Sequence, residues 1–275
     1  MTANGMEEND MQTRLEKKMA ALKAAGRKGI FIYITAGAPD LETTYRAVQE
    51  AEKAGADVIE LGLPFSDPMA DGPVIQDASV RALKNGITTE KEIEIVRQIR
   101  SFSEIPLIGM GYINTMLHYG FERFVQDFQG AGMDGIIVPD VPHEESGEMR
   151  RICVSHAFHL AEFITPGTTP ARMKETCVGA TGFIYCVSNN GVTGVKKIDY
   201  STIGQVCAEA REFTQTPLAV GFGIGSPEAA VEAAAHADAV IVGSAVVGRL
   251  LQGKFDEAMQ LIRSMRQALD ARYGK

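Results

Sequence analysis

No apolar run in this 275-residue sequence reaches the roughly 18 residues that a membrane-spanning helix needs. Cysteine is scarce. Cys153, Cys177, Cys186 and Cys207 form no C-x-x-C pair and have no histidine at metal-ligand spacing, so no metal site is expected. In a chain long enough to sustain a large core, and with no export signal, reduced thiols and a cytoplasmic location are expected. Positive charge is in deficit, with 27 Lys and Arg against 35 Asp and Glu and a net charge of −8. That balance argues against nucleic acid and against an anionic membrane surface, but not against a phosphorylated small molecule held by a local field. The five histidines, His118, His143, His156, His159 and His236, read as solvated or packed, and no Ser–His–Asp arrangement emerges.

A recurring unit is present instead: an apolar run, a turn rich in Gly, Pro or Asp, then a helical pattern. Gly29–Thr35 (GIFIYIT) reads as a strand buried on both faces, followed by a helix over 41–54. Further strands are expected at Asp57–Leu61, Pro106–Met110, Asp134–Val138, His159–Ile164, Thr181–Val187, Pro217–Gly221 and Ala239–Val242. Helices are expected between them over 74–84, 89–102, 117–130, 144–156, 169–178, 200–213 and 226–235, with long helical segments after the last strand. Gln12–Ala25 precedes them as an amphipathic helix, and Met1–Asp10 is expected to be a disordered tail. Eight short strands alternating with helices over about 250 residues fit an α/β fold of the closed (β/α)8 TIM-barrel type, one domain over 11–275. An open dinucleotide-binding sheet would carry G-x-G-x-x-G after its first strand, and here that turn has one glycine, Gly37.

Two groups of residues should carry chemistry. Glu60 interrupts the apolar run Val58-Ile59-Glu60-Leu61, where an unpaired charge costs several kcal/mol. It is either tied into a structural network or catalytic at a strand end. The long loop after it carries Asp67, which precedes a proline and reads as a turn former or partner contact, and Asp71. A buried carboxyl of raised pKa beside a more exposed ionised one would divide acid and base roles. The second group is the set of glycine turns after the last three strands, containing Gly191 and Gly194, then Gly221, Gly223 and Gly225, then Gly243 and Ser244. Close backbone approach and a helix N-terminus suit a phosphate there. Phe222 could cover a flat substrate or simply pack, and the Tyr185 phenol could reach a substrate or snorkel to water.

The stretch Glu60-Leu61-Gly62-Leu63-Pro64-Phe65-Ser66-Asp67-Pro68-Met69-Ala70-Asp71-Gly72-Pro73 resembles the signature of the tryptophan synthase alpha chain family. Thr35-Ala36-Gly37, Pro139 to Glu145, Gly191-Val192-Thr193-Gly194, Gly221 to Ile224 and Gly243-Ser244-Ala245 follow in the family's order. The resemblance runs from about Lys18 to the C-terminal helix. It implies a cofactor-free retro-aldol cleavage of indole-3-glycerol phosphate to indole and glyceraldehyde 3-phosphate. By that resemblance Glu60 is the general acid/base and Asp71 the carboxylate on the indole N–H. Tyr185, Thr193 and Phe222 then contact substrate, and Gly194, Gly223, Gly243 and Ser244 cradle its phosphate. It also implies a pyridoxal-phosphate-dependent beta chain as partner in an alpha2beta2 complex, with the Pro64–Pro68 loop and the helix near 174–179 as contact surfaces. Ile32, Thr115, the Asn189-Asn190 pair and Val195-Lys196-Lys197 depart from the family's frequent residues, which bears on loop closure and partner signalling. Other readings are a phosphosugar isomerase or epimerase on the same barrel, and a weakly active subunit that mainly activates its partner.

Overall fold

The computed structural model describes residues 13–187 and 200–274. Its strands are β1 (Gly29–Thr35), β2 (Val58–Gly62), β3 (Leu107–Met110), β4 (Gly135–Ile137), β5 (His159–Leu160), β6 (Glu162–Ile164), β7 (Ile184–Val187), β8 (Leu218–Gly221) and β9 (Ala239–Val242). All pairings are parallel, in the order β5-β4-β3-β2-β1-β9-β8-β7-β6. The two ends of that order are β5 and β6, separated only by Ala161. They are halves of one stave, broken where a single strand over His159–Ile164 was expected, and the sheet closes on itself through them as a (β/α)8 barrel.

The helices are α1 (Arg14–Ala24), α2 (Leu41–Ala54), α3 (Pro73–Lys84), α4 (Thr89–Arg100), α5 (Ile113–Tyr119), α6 (Phe121–Ala131), α7 (Gly147–Ser155), α8 (Pro170–Cys177), α9 (Tyr200–Ala210), α10 (Pro227–Ala234), α11 (Ser244–Leu251) and α12 (Phe255–Tyr273). The single helix expected over 117–130 is two, because Gly120 takes φ +91° between α5 and α6. The helix expected from 144 is a short 3-10 turn, His143–Glu145, followed by α7. No helix among the described residues is long and apolar enough to cross a membrane.

Strand periodicity sorts the core into two layers. Phe31, Val58, Ile108, Ile137, Phe183 and Ile241 fill the barrel interior, while Ile30, Ile32, Ile59, Leu61, Ile136 and Val240 face the helices. Helix α1 stoppers the interior at its base with Leu15, Met19 and Leu22. Its start is fixed by a capping box between Thr13 and Glu16.

The base is also laced by one device used three times. Asp57 accepts the Ile30 N–H at 3.0 Å and Arg266 Nη1 at 3.1 Å. Asp134 accepts the Leu107 N–H at 2.8 Å and Arg100 Nη2 at 2.9 Å. Asp238 accepts the Leu218 N–H at 2.8 Å and pairs with Arg211. Each aspartate stands just before a strand, joins it to its neighbour and ties both to an arginine from a helical segment or its end.

Candidate active site

The period of two that sends Ile59 and Leu61 outward turns Glu60 into the barrel, at the middle of β2 and in register with Tyr33 of β1. Glu60 is 3% exposed, and its Oε2 has no hydrogen-bond partner among the described residues. Burial pushes its carboxyl up to about 8, and the charge of Asp71 pushes it the same way. At neutral pH this carboxyl keeps its proton.

Asp71 ends the loop that leaves β2, immediately before Gly72, the N-cap of α3. Its Oδ2 accepts the Tyr112 hydroxyl at 3.0 Å, and that hydroxyl accepts the Ala70 N–H at 3.1 Å. Phe65 stacks on the Tyr112 ring at 5.1 Å. One phenol thus holds the loop, the carboxylate and an aromatic residue of that loop together. Asp71 is buried as well, rather than open to solvent. Burial raises it to about 6, and the Tyr112 hydrogen bond opposes that rise. The two carboxyls therefore differ in protonation at pH 7 through their partners more than through their exposure.

Tyr185 lies inside the barrel mouth, 7% exposed, so its phenol does not snorkel to water. It packs against Phe163 at 5.3 Å and Phe222 at 6.0 Å, and burial raises the pKa of its phenol, with the nearby Glu60 and Asp71 carboxyls pushing the same way. Phe222 adopts φ +74° and Gly223 φ +75°. A left-handed phenylalanine costs on the order of 1–3 kcal/mol, and such strain concentrates at ligand sites. Here it turns the ring into the rim of a cleft of about 400 Å3, shared with Ala70, Phe163 and Val187 and walled outside by Asp140 and His143.

Gly243 caps α11, and its carbonyl accepts the N–H groups of Val246 and Val247 at 2.9 and 3.1 Å. The N–H groups of Ser244 and Ala245 fall in the first turn, where a helix offers no acceptor of its own. A Cβ on Gly243 would lie 3.6 Å from Tyr33 Cβ, so this helix start adjoins the partner strand of Glu60. Thr193 and Gly194 lie outside the described residues. Tyr112 and Tyr33 were not singled out from the sequence. The available signal for Tyr33 was its inward place on β1, but for Tyr112 the contact to Asp71 spans 41 residues and has no local trace.

A closed parallel barrel with a protonated carboxyl and an ionisable partner at its mouth, and glycine turns beside them, defines an acid–base enzyme of the (β/α)8 class. The family model described as tryptophan synthase alpha chain matches residues 19–272. The chain belongs to that family. It is 40% identical over 262 residues to the tryptophan synthase alpha chain of Clostridium kluyveri, covering 94% of this chain and 99% of that one. The alpha chain of a Thermoanaerobacter species is 40% identical over 257 residues, covering 93% and 98%. Among solved structures, tryptophan synthase subunit alpha from Legionella pneumophila superposes with TM-score 0.88 at 37% identity, covering 94% and 99%. Tryptophan synthase from M. tuberculosis in its aminoacrylate-bound form gives 0.84 at 28% identity, covering 94% and 100%.

Proposed function

We propose that this chain cleaves indole-3-glycerol phosphate to indole and glyceraldehyde 3-phosphate, in tryptophan biosynthesis, with Glu60 and Asp71 as the catalytic pair. The observation that carries the assignment is Glu60, buried, with Oε2 unpartnered among the described residues, and protonated at neutral pH beside a carboxyl of lower pKa. The reaction needs a proton on indole C3, a counter-charge for the indole N–H, and a base for the side-chain hydroxyl next to the breaking bond. Neutral Glu60 gives its proton to C3. The cation that results is held through its N–H by ionised Asp71. Glu60, now a carboxylate, takes the hydroxyl proton as the carbon–carbon bond breaks and the aldehyde forms, which restores its starting state. No proton is left over, and each carboxyl begins in the state its surroundings favour.

Phe222, with Tyr185 beneath it, covers the indole. Gly194, Gly223, Gly243 and Ser244 hold the phosphate, and Thr193 contacts the substrate. The partner is a tryptophan synthase beta chain, met by the face that carries the mouth, and the reaction runs in the cytoplasm. Glu60→Gln tests the assignment, since it keeps the volume and removes the acid. Indole release should fall at least a hundredfold, the lower range for a general acid–base group. Near-native release would remove Glu60 from the mechanism.

A further inference from the structure

At the end of the barrel opposite Glu60, a cleft of about 300 Å3 opens between the end of α1, the residues leading into β1, and the turns before β8 and β9. Its floor is apolar, from Met19, Leu22 and Pro217. In a chain of net charge −8, its walls carry four cations, Lys23, Arg27, Lys28 and Arg211, against one carboxylate, Asp238.

Arg27 is matched by Asp270 through Nε and Nη2, both at 3.0 Å, and Arg211 by Asp238. Arg211 Nη1 also donates to the Thr216 carbonyl at 2.7 Å, but each guanidinium has five N–H donors, so both keep some to spare. The two lysines have no carboxylate at ion-pair distance among the described residues. Lys28 Nζ donates to the Ala237 carbonyl at 2.6 Å and lies 5.4 Å from the Tyr273 ring centre. Burial pushes its pKa down. A half-buried ammonium with carbonyl and ring partners but no full counter-charge is stabilised by an incoming anion.

We propose that this base cleft binds a small multivalent oxyanion, of the phosphate or phosphomonoester class, between Lys23, Lys28 and the remaining N–H donors of Arg27 and Arg211. It is a second anion site, separated by the length of the barrel from the phosphate position at the mouth. An occupant would link the end of α1 to the lead-ins of β1, β8 and β9, and so lock the stopper that closes the interior.

Lysine acetylation read by peptide mass spectrometry reports on this end of the molecule alone. Inorganic phosphate is titrated at constant ionic strength on the full chain, with the exposed Lys84 and Lys174 as references. Lys23 and Lys28 should be protected saturably, about threefold or more, while the references do not change. Lys23→Met, at a residue exposed at the end of α1, should raise the phosphate concentration that half-protects Lys28 by about tenfold, the equivalent of one charge-assisted contact. Labelling of Lys23 and Lys28 that tracks the references, protection reproduced by chloride, or half-protection of Lys28 unmoved by Lys23→Met would each overturn the proposal.

Discussion

Removing one hydroxyl, in Tyr112→Phe, should narrow the pH range in which the carboxylate pair can work. Asp71 must be ionised, so activity falls as pH drops through its pKa of about 6. Glu60 must be protonated, so activity falls as pH rises through its pKa of about 8. The native profile of kcat/KM should therefore be a bell centred near neutrality. Tyr112 donates to Asp71 Oδ2 at 3.0 Å, and that bond favours the ionised form. A hydrogen bond to a charged group contributes about 1.5–3 kcal/mol, and 1.36 kcal/mol is one pKa unit, so its loss should raise Asp71 by about one to two units. The acid limb would then approach the basic one. At pH 7 the ionised fraction of Asp71 should drop about twofold to tenfold by the same arithmetic, with the optimum moving to higher pH and a lower peak. The assay is indole release across pH 5–9 for both proteins, with circular dichroism to confirm that the variant folds. An acid limb left in its native position, in a folded variant, would refute the claim that this bond sets the protonation state of Asp71.

Three other changes probe stability. Glu92 of α4 is buried, with Oε2 unpartnered among the described residues and a carboxyl pushed by burial to about 8. Its folded pKa lies above the unfolded one, so stability falls as pH rises between the two; Glu92→Gln should add about 3 kcal/mol at pH 7 and flatten the decline of Tm between pH 5 and 8. A Cβ on Gly62 would collide with Tyr33 Oη, so Gly62→Ala should cost about 1–3 kcal/mol in denaturant unfolding and, by displacing the strands that hold Glu60, lower kcat more than stability alone explains. Asp134→Ala strands the buried Arg100 guanidinium and should cost about 3 kcal/mol or more while leaving the pH profile of kcat/KM unchanged.

What was legible in the sequence follows from what each residue signals locally. The barrel strands stood out because both their faces are buried, which leaves continuous apolar runs. Glu60 stood out because it broke one. The ends of helices were less legible. Gly120 and Ala161 look unremarkable in their segments, yet one splits a helix and the other a stave. Tyr112 escaped notice because a tyrosine after a strand reads as packing, and its function depends on a loop 41 residues away. Glu92 was hidden for the opposite reason. In Thr89–Arg100 (TEKEIEIVRQIR) it is one of several charges on an amphipathic helix, and nothing in that pattern marks it as the buried one.

The two ends of the barrel use the same residue types to opposite effect. Asp57 and Asp134 at the base are buried, and burial raises their pKa as it does at the mouth. Each also accepts a backbone N–H from a neighbouring strand and an arginine, and these donors counter the desolvation. Glu60 has no such donor on Oε2, and the charge nearest it, on Asp71, adds to the shift. A carboxyl whose partners satisfy it is a joint in the scaffold, and removing it would strand the N–H and the arginine it accepts. A carboxyl with one oxygen left unpartnered among the described residues is held in readiness for a proton transfer, at a cost in stability. It follows that Glu60→Gln should make the protein more stable at pH 8 while removing its activity. If thermal unfolding at pH 8 instead showed Glu60→Gln to be less stable than the native chain, Glu60 would belong with the joints.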